Sequence, residues 1–415
     1  MAAFAAVVLV LTLIPAGEDS PPPHVLVVAH GSPPGGDGRA WDRAYAHPQD
    51  AVDAAQAGME VWVAIGTYGA RAAGDPAVLV MKDGVSVYGA FAPGATHRED
   101  AGPEAYSTLS GRDFPNHIVI GASNATLRGF GIFDAGVDGA DLDRAGGGMR
   151  NVGVSGLRVV DCWFHRNAAP SGGGMGNIES SVVIADCMFW LNAAGHWAGG
   201  GIYAKHSDIG ITNTDFVLNK GPGGGAVYLH DLTKADIRRC TFNSNEAVND
   251  GGAVCSLEAS ATITNCVFRS NSTRYTGGGV CTFDSSVEIV HCTFFGNAAE
   301  RGGAVCNYNT SRASIVSTIM WDNAARESGP DVYDQEGSAS VVSYSCIQTR
   351  IPGEGNTSLD PSWVLEDGHE FMPGPGSVCI DQGDPDVDVS QDITESRRPV
   401  GDGPDIGAYE RQEDR

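Results

Sequence analysis

A six-residue motif recurs along the middle of the chain at a nearly constant spacing. It has Cys or Thr at its first position, Phe at its third and Asn at its sixth. Its clear copies begin at Cys162, Cys187, Thr214, Cys240, Cys266 and Cys292, and a degenerate copy begins at Thr318. The Phe residues of the clear copies are 25, 27, 26, 26 and 26 positions apart. Such a period indicates a repeat architecture in which each unit stacks on the next.

Each repeat carries signals for three short strands and three corners. A glycine cluster follows each Asn after a variable loop, at 172–174, 199–201, 223–225, 251–252, 277–279 and 302–303. A unit this short cannot hold a helical crossover between parallel strands, so the chain must wind back on itself. Successive coils then lie about 4.8 Å apart, with the Phe column inside. We expect the glycines at corners with positive φ, and the Asn residues in the left-handed conformation at the opposite corner.

These patterns resemble a known group of proteins. The Phe-x-x-Asn and Gly-Gly-Ala-Val sequences are similar to repeats of chlamydial polymorphic outer-membrane proteins and of secreted bacterial β-helix proteins with the pectin-lyase-like fold. The resemblance covers residues 24–410 and implies an all-β, right-handed parallel β-helix of about 26 residues per coil. The end segments that resemble the cap helix, first strand, first coils and closing strand of that group are 50–58, 61–68, 83–91, 108–111 and 405–410.

The chain is accordingly predicted to be one β-helix domain behind a cleaved leader. The apolar run at 2–16 with small residues Ala16 and Gly17 is typical of a signal peptide over 1–17, although no Lys or Arg precedes it. We expect a secreted or cell-surface protein with no transmembrane segment in the mature chain. The predicted parts are a short N-terminal cap helix at 48–60, regular repeats at 158–325, and irregular coils with a closing strand at 345–410.

The charge balance narrows the expected partners. Acidic residues outnumber basic ones by 51 to 26, a net charge of −25. Such a surface repels phosphate backbones, so nucleic acid is not an expected partner. A polysaccharide or another cell-surface component is the expected partner.

The ten cysteines allow two interpretations. Five share the motif column and three share a second column, which favours buried free thiols that pack in the core over stacked disulfides. Cys346 and Cys379 lie outside the repeats and could pair with each other. The columns are Cys162, Cys187, Cys240, Cys266 and Cys292, and Cys255, Cys281 and Cys306.

The outward positions beside the motif hold the candidate site. Asp161 and Asp186 precede the motif in neighbouring coils, about 5 Å apart, a spacing at which two carboxyl groups can act as acid and nucleophile. The catalytic candidates are Asp161, Asp186, Asp215 and Arg239. The ligand-binding candidates are Trp163, His165, Trp190, His196 and Trp197.

A simpler interpretation of the same residues remains open. Asp and Asn are common at corners because they bond the local backbone, and the aromatic side chains could only shield strand edges. The favoured function is therefore a non-catalytic protein that binds glycan or a surface component on its outer strand faces. The alternative is a polysaccharide lyase or glycoside hydrolase of this fold. A lyase is disfavoured because Arg239 is the sole basic residue of the column that contains Asp161.

An acidic loop near the C-terminus is a candidate calcium site. Its acids occupy positions 1, 3, 5, 9 and 12 of a loop, as in an EF-hand, but position 6 is Val389 rather than Gly. We expect that no cofactor is required, and that calcium bound here would stiffen the end of the coil. The candidate ligands are Asp384, Asp386, Asp388, Asp392 and Glu395.

Overall fold

Parallel strands wind into one long coil, as the 26-residue period predicts. The structure, a computed structural model, describes residues 21–22, 24–102, 105–112, 114, 116–139, 144–196, 198–366 and 369–412. Its strands form four parallel sheets and one antiparallel pair, which confirms the all-β class and the coiled parallel architecture. The predicted signal peptide at 1–17 lies outside the described residues.

Two long sheets meet at the corner that precedes each motif. The strands of sheet 1 are Val25–Val28, Glu60–Ala64, Ser86–Phe91, Thr126–Arg128, Leu157–Val160, Ser181–Ala185, Asp208–Thr212, Lys234–Arg238, Ser260–Thr264, Ser286–Val290, Arg312–Val316 and Ala339–Ser343. The strands of sheet 2, which contain the motif Phe residues, are Gly66–Tyr68, Ser107–Ser110, Phe130–Phe133, Trp163–His165, Met188–Trp190, Asp215–Val217, Thr241–Asn243, Val267–Arg269, Thr293–Phe295, Ile319–Trp321 and Cys346–Ile347.

Two further sheets complete the wall of the coil. The strands of sheet 3 are Ala77–Val80, His117–Ile120, Met149–Val152, Met175–Ile178, Ile202–Lys205, Val227–His230, Val254–Leu257, Val280–Phe283, Val305–Tyr308 and Val332–Asp334. The loop expected after each motif Asn instead forms sheet 4, with strands Ala168–Ala169, Ala193–Ala194, Lys220–Gly223, Glu246–Asp250, Ser272–Thr273, Ala298–Arg301 and Ala324–Ser328. The remaining elements are the antiparallel pair Trp363–Glu366 and His369–Pro373, the α-helix Pro48–Ala54, and the 3-10 helices Trp41–Arg43 and Arg98–Asp100.

The Phe column fills the interior, as predicted. Side chains alternate along each sheet 2 strand, so Phe points inward while its two neighbours point outward. Ring centroids of successive Phe residues lie 4.4 to 5.1 Å apart and the rings are stacked. Burial of each ring stabilises the fold by about 1.5–3 kcal/mol. The fully buried rings are those of Phe164, Phe189, Phe216, Phe242, Phe268 and Phe294.

The motif Asn does not adopt the left-handed conformation that we expected. The preceding residue does so, with φ of +54° at Arg166 and +56° at Leu191. The Asn side chain turns inward: Asn219 Nδ2 donates to Asn245 Oδ1 (3.0 Å) in the next coil and to Phe189 O (2.8 Å) in the previous one. Because a buried amide must be hydrogen-bonded, this Asn ladder holds neighbouring coils in register.

The glycine corners follow the prediction in five of the six clusters, each of which has one glycine with positive φ, whereas the cluster at 199–201 has none. At Gly251 φ is +65°, and an added Cβ would lie 2.3 Å from Val254 O. Any side chain there would displace backbone, so the corner requires glycine.

The N-terminal helix closes one end of the coil but is shorter than predicted. It spans Pro48–Ala54 rather than 48–60, and the next strand begins at Glu60. The Gln49 side chain forms the hydrogen bonds that a neighbouring strand would form: its Nε2 donates to Val80 O (3.1 Å) and its Oε1 accepts from Val80 N (2.6 Å). The helix thus covers the open edge of sheet 3. No helix in the described ranges is long and apolar enough to cross a membrane.

The ten cysteines are all buried and free, which agrees with the thiol interpretation. In the motif column, Cys240 N donates to Cys266 Sγ at 3.4 Å, so a thiol contributes to the contact between coils. Cys346 and Cys379 share an apolar cluster with Ile319 and Ile406.

Residues 379–411 cross the outer face of sheet 2, and we call them the C-terminal strap. The segment 405–410, expected to be a closing strand, forms no strand. Its backbone bonds across the coils instead: Gly407 N donates to Ser317 O (2.8 Å) and Ala408 N to Thr293 Oγ1 (3.1 Å). The strap and the antiparallel pair cover the later coils of sheet 2 and leave the outer face open at Trp163 and Met188.

A buried ion pair anchors the C-terminal strap. Arg398 Nε donates to Glu410 Oε2 (2.8 Å), and neither side chain is exposed. Arg398 also donates to Asn265 Oδ1 (2.8 Å), 133 positions away in sequence. Because breaking a buried pair leaves an uncompensated charge, these contacts fix the path of the strap.

Candidate functional site

Three of the predicted ligand-binding rings form one surface on sheet 2. Trp163 pairs in register with Met188, and His165 with Trp190, so their side chains emerge together. Ring centroids lie 5.8 Å apart between Trp163 and Trp190, 4.7 Å between His165 and Trp190, and 5.3 Å between Trp163 and His165, all stacked. We call Trp163, His165 and Trp190 the aromatic platform.

Two rings that the sequence did not single out support the platform. Phe133 meets Trp163 edge to face at 5.1 Å, and Tyr106 lies 6.3 Å from the same ring. Burial lowers the pKa of His165, so its ring is neutral at pH 7. Trp163 Nε1 is buried without a hydrogen-bond partner among the described residues. An unpaired buried donor costs about 1–3 kcal/mol, a cost that the protein itself does not offset.

The predicted carboxylates stand at the corner between sheets 1 and 2. Asp161 and Asp186 have φ of +52° and +54°, in agreement with the corner interpretation of this column. Asp161 lies 3.8 Å from Arg128. Burial raises the pKa of Asp161; Arg128 opposes this and the charge of Asp186 adds to it. The two carboxyl groups are therefore close enough to interact, as the repeat spacing predicts.

A series of hydrogen-bonded polar side chains extends from Asp186 toward the C-terminal strap. Asn213 Nδ2 donates to Asp186 Oδ1 (3.2 Å), and Arg239 Nε donates to Asn213 Oδ1 (2.8 Å). Glu395 joins from the strap, 3.0 Å from Asn213 Nδ2 and 3.3 Å from the Arg239 guanidinium. The structure thus connects Asp186 and Arg239 through one amide.

A pocket of about 480 Å³ lies where the strap meets the open coils, and we call it the strap pocket. Within it, Thr241 Oγ1 donates to Asp215 Oδ1. Burial raises the pKa of Tyr409 to about 12, with the charges of Asp392, Glu370 and Asp215 contributing, so its phenol stays protonated. Asp215 is one outward position beyond Met188 and two beyond Trp163, about 10 Å along the coil. The lining residues are Asn213, Asp215, Arg239, Thr241, Ile393, Thr394, Glu395 and Tyr409.

Two predicted ligand-binding residues stay apart from the aromatic platform. His196 follows the sheet 4 strand Ala193–Ala194, beyond the next corner, and its backbone N donates to Pro170 O (3.0 Å). No ring contact joins it to the platform in the described part of the chain. Trp197 lies outside the described residues.

The acidic loop does not assemble as a ligand set. Asp392 is fully buried: its Oδ1 accepts from Thr394 and Ser396, and its Oδ2 accepts from Glu410 N. Glu395 faces Arg239 instead, and Asp384 Oδ1 accepts from Asp386 N (3.0 Å). Among the described residues, no three His, Cys, Asp or Glu side chains come together to hold a metal ion. The described residues therefore form no preassembled calcium site, and calcium binding stays a prediction from sequence.

Sequence analysis missed the contribution of the strap to this pocket. Tyr409 and Glu395 reach it from segments without repeat spacing, and Glu395 was assigned to the calcium loop. Asn213 and Glu395 are 182 positions apart, so no local pattern could have brought them together. Phe133 could have been found from sheet 2 register, since it pairs with His165. Tyr106 precedes the strand Ser107–Ser110 and had no such signal.

Comparison with known proteins agrees with the architecture. Residues 118–268 and 196–319 match the family model described as "Right handed beta helix region". The crystal structure of pectate lyase Pel9A is similar with a TM-score of 0.55 and 15% identity, covering 94% of this chain and 96% of that one. The fold is a right-handed parallel β-helix of the pectin-lyase-like type. No curated protein matches the sequence.

Other solved structures overlap less well with this β-helix. The GH136 lacto-N-biosidase from Eubacterium ramulus has a TM-score of 0.35 and 11% identity over 76% of this chain and 67% of that one. The A-module of Azotobacter vinelandii mannuronan C-5 epimerase AlgE6 has a TM-score of 0.27 and 16% identity over 71% and 94%. The likeness to Pel9A, at 15% identity, bears on the fold alone and leaves the activity of this chain open.

Proposed function

We propose that the protein binds a glycan along the open outer face of sheet 2 and does not cleave it. The observation that carries the proposal is the stacked aromatic platform beside a polar pocket. Ligand sites combine apolar or aromatic walls with a few polar groups that fix orientation, and this face supplies both within four coils. The platform offers apolar aromatic surface to the apolar faces of sugars, while Asp215, Thr241 and Asn213 supply hydrogen-bonding groups for hydroxyls.

The glycan or surface component is expected outside the cell. The apolar run at 2–16 and the likeness of the repeats to those of chlamydial polymorphic outer-membrane proteins support export. N-terminal sequencing of the exported protein tests this part of the proposal. A mature chain that begins near Glu18 supports it, and retention of Met1 in an unexported product contradicts it.

The binding proposal predicts that two ring substitutions act locally. Trp190→Ala and Trp163→Ala should each abolish or weaken retention on the glycan identified from an array. Tyr275→Ala is the matched control, because Tyr275 is 45% exposed and lies outside sheet 2. Equal loss in all three variants, or an array without any bound glycan, contradicts the proposal.

Hydrolysis is the second candidate, favoured by one observation. Asp161 has a raised pKa beside Asp186, the arrangement expected of an acid and an ionised partner. The lyase alternative has less support, because the Arg239 guanidinium is engaged by Asn213 and Glu395. Incubation of the wild type with acidic and neutral polysaccharides, with and without Ca²⁺, decides between binding and turnover. Turnover that Asp161→Asn with Asp186→Asn abolishes would replace the binding proposal with the enzymatic one.

A further inference from the structure

The open face of sheet 2 has an apolar part and a charged part. The apolar part is the aromatic platform with Met188 and Leu191, which are 36% and 38% exposed. The charged part begins at Asp186 in the same coil and continues to Asp215 in the next, where Asp215 pairs in register with Met188. A chain lying along this face touches rings and carboxylates at once.

Negative charge dominates around the strap pocket. The pocket lining has two carboxylates, Asp215 and Glu395, and one cation, Arg239. A third carboxylate, Asp186, accepts a hydrogen bond from the lining residue Asn213. That cation is already engaged: its guanidinium contacts Asn213 Oδ1, Thr212 Oγ1 and Glu395 Oε1. A uronic-acid polymer would place its own carboxylates next to these carboxylates, and the pocket lining offers no unengaged cation to bind them.

We propose that the glycan bound by this face carries protonated amines, as in a polymer of amino sugars. This inference rests on the proposed glycan binding and assigns its chemical class. Hydrogen bonds between ammonium and carboxylate groups are stronger than neutral ones. Asp186 and Asp215 lie in neighbouring coils, Asp186 at the corner and Asp215 in the strand that follows the next corner. The net charge of −25 attracts such a polymer over a longer range.

The test compares three sugar hexamers of equal length. They are a glucosamine hexamer, its fully N-acetylated form, and a galacturonic acid hexamer measured with and without Ca²⁺. Calorimetry is run at about pH 5.5, where amines are protonated and ordinary carboxylates are ionised. We expect the glucosamine hexamer to bind at least about tenfold more tightly than the N-acetylated one. Added salt should reduce this preference.

Substitutions assign the preference to the named carboxylates. Asp186→Asn with Asp215→Asn should remove the preference, so that this variant binds the glucosamine hexamer and the N-acetylated hexamer with affinities within about twofold of each other. Asp208→Asn, an exposed carboxylate on the outer face of sheet 1, is the matched control and should retain the preference. Circular dichroism spectra and melting temperatures equal to those of the wild type show that the variants fold.

The outcomes separate this inference from the function on which it rests. Equal affinity for the amine and N-acetylated hexamers overturns the amine assignment and keeps glycan binding. Tighter binding of the galacturonic acid hexamer, with or without Ca²⁺, also overturns it. If the array and all three hexamers show no binding, both proposals fail. A preference unchanged in the Asp186 and Asp215 variant overturns the assignment to this pocket.

Discussion

Replacement of one Asn of the ladder should destabilise the coil far more than a typical surface substitution. Asn245 is fully buried, and its side chain makes four hydrogen bonds. Its Nδ2 donates to Phe216 O (2.9 Å) and Asn271 Oδ1 (3.0 Å), and its Oδ1 accepts from the backbone N and the Nδ2 of Asn219, both at 3.0 Å. Asn245→Ala removes all four.

The expected cost follows from the groups left behind. The backbone N–H of Asn219 loses its acceptor in a dry interior, at about 1–3 kcal/mol. Asn219 Nδ2 keeps Phe189 O and Asn271 Oδ1 keeps the backbone N of residue 245, so these two groups lose less. With the small cavity added, we expect the free energy of unfolding to fall by about 3–5 kcal/mol.

Chemical denaturation of the variant and a neighbouring control measures this cost. Asn243→Ala is the control, because Asn243 lies two positions earlier in the same coil, at the end of the strand Thr241–Asn243, but points outward and should cost at most about 0.5 kcal/mol. Unfolding in guanidinium chloride is followed by circular dichroism and tryptophan fluorescence, and coincident transitions justify the comparison. Equal stability of Asn245→Ala and Asn243→Ala would refute the role given to the ladder.

Three further predictions concern thiols, pH and metal. Thiol titration should find almost no reactive cysteine in the native protein and ten after unfolding, since burial raises the pKa of Cys255 and Cys266 well above the ordinary thiol value; eight would instead indicate a disulfide, first between Cys346 and Cys379. Burial, with the Glu410 charge, raises the pKa of Asp405 to about 7, so its contribution to stability should be full below about pH 4 and decline as pH rises to about 7. The melting temperatures of the wild type and of Asp405→Asn are measured across this pH range. Their difference isolates the contribution of Asp405 from the opposing contribution of buried His291. A difference that does not change with pH contradicts the prediction. A chelator should lower the melting temperature if the acidic loop holds calcium, and an unchanged value removes that prediction.

The sequence predicts those parts of the molecule that repeat. Phe, Cys and Gly recur at one position per coil, so their stacking followed from the period alone. The Asn column was also visible, but its inward hydrogen bonding was missed, because Asn is also common at corners in the left-handed conformation. The aromatic platform was found because Trp163, His165 and Trp190 flank the motif.

The C-terminal strap could not be predicted in this way. Its contacts join residues such as Asn265 and Arg398, which are 133 positions apart and obey no period. The closing strand was inferred from resemblance at 405–410, yet the segment bonds across the coils at Ser317 and Thr293. The strap pocket therefore emerges only from the tertiary structure.

The strap also sets the order in which the molecule can be completed during synthesis. Each coil touches mainly its neighbours, so coils can form one after another as the chain leaves the ribosome. The wall of the strap pocket formed by Ile393, Glu395 and Tyr409 cannot form until translation has passed Tyr409. A nascent chain halted after Ile347 would already contain the aromatic platform, Asp186 and Asp215, but it would lack the strap residues that enclose the pocket.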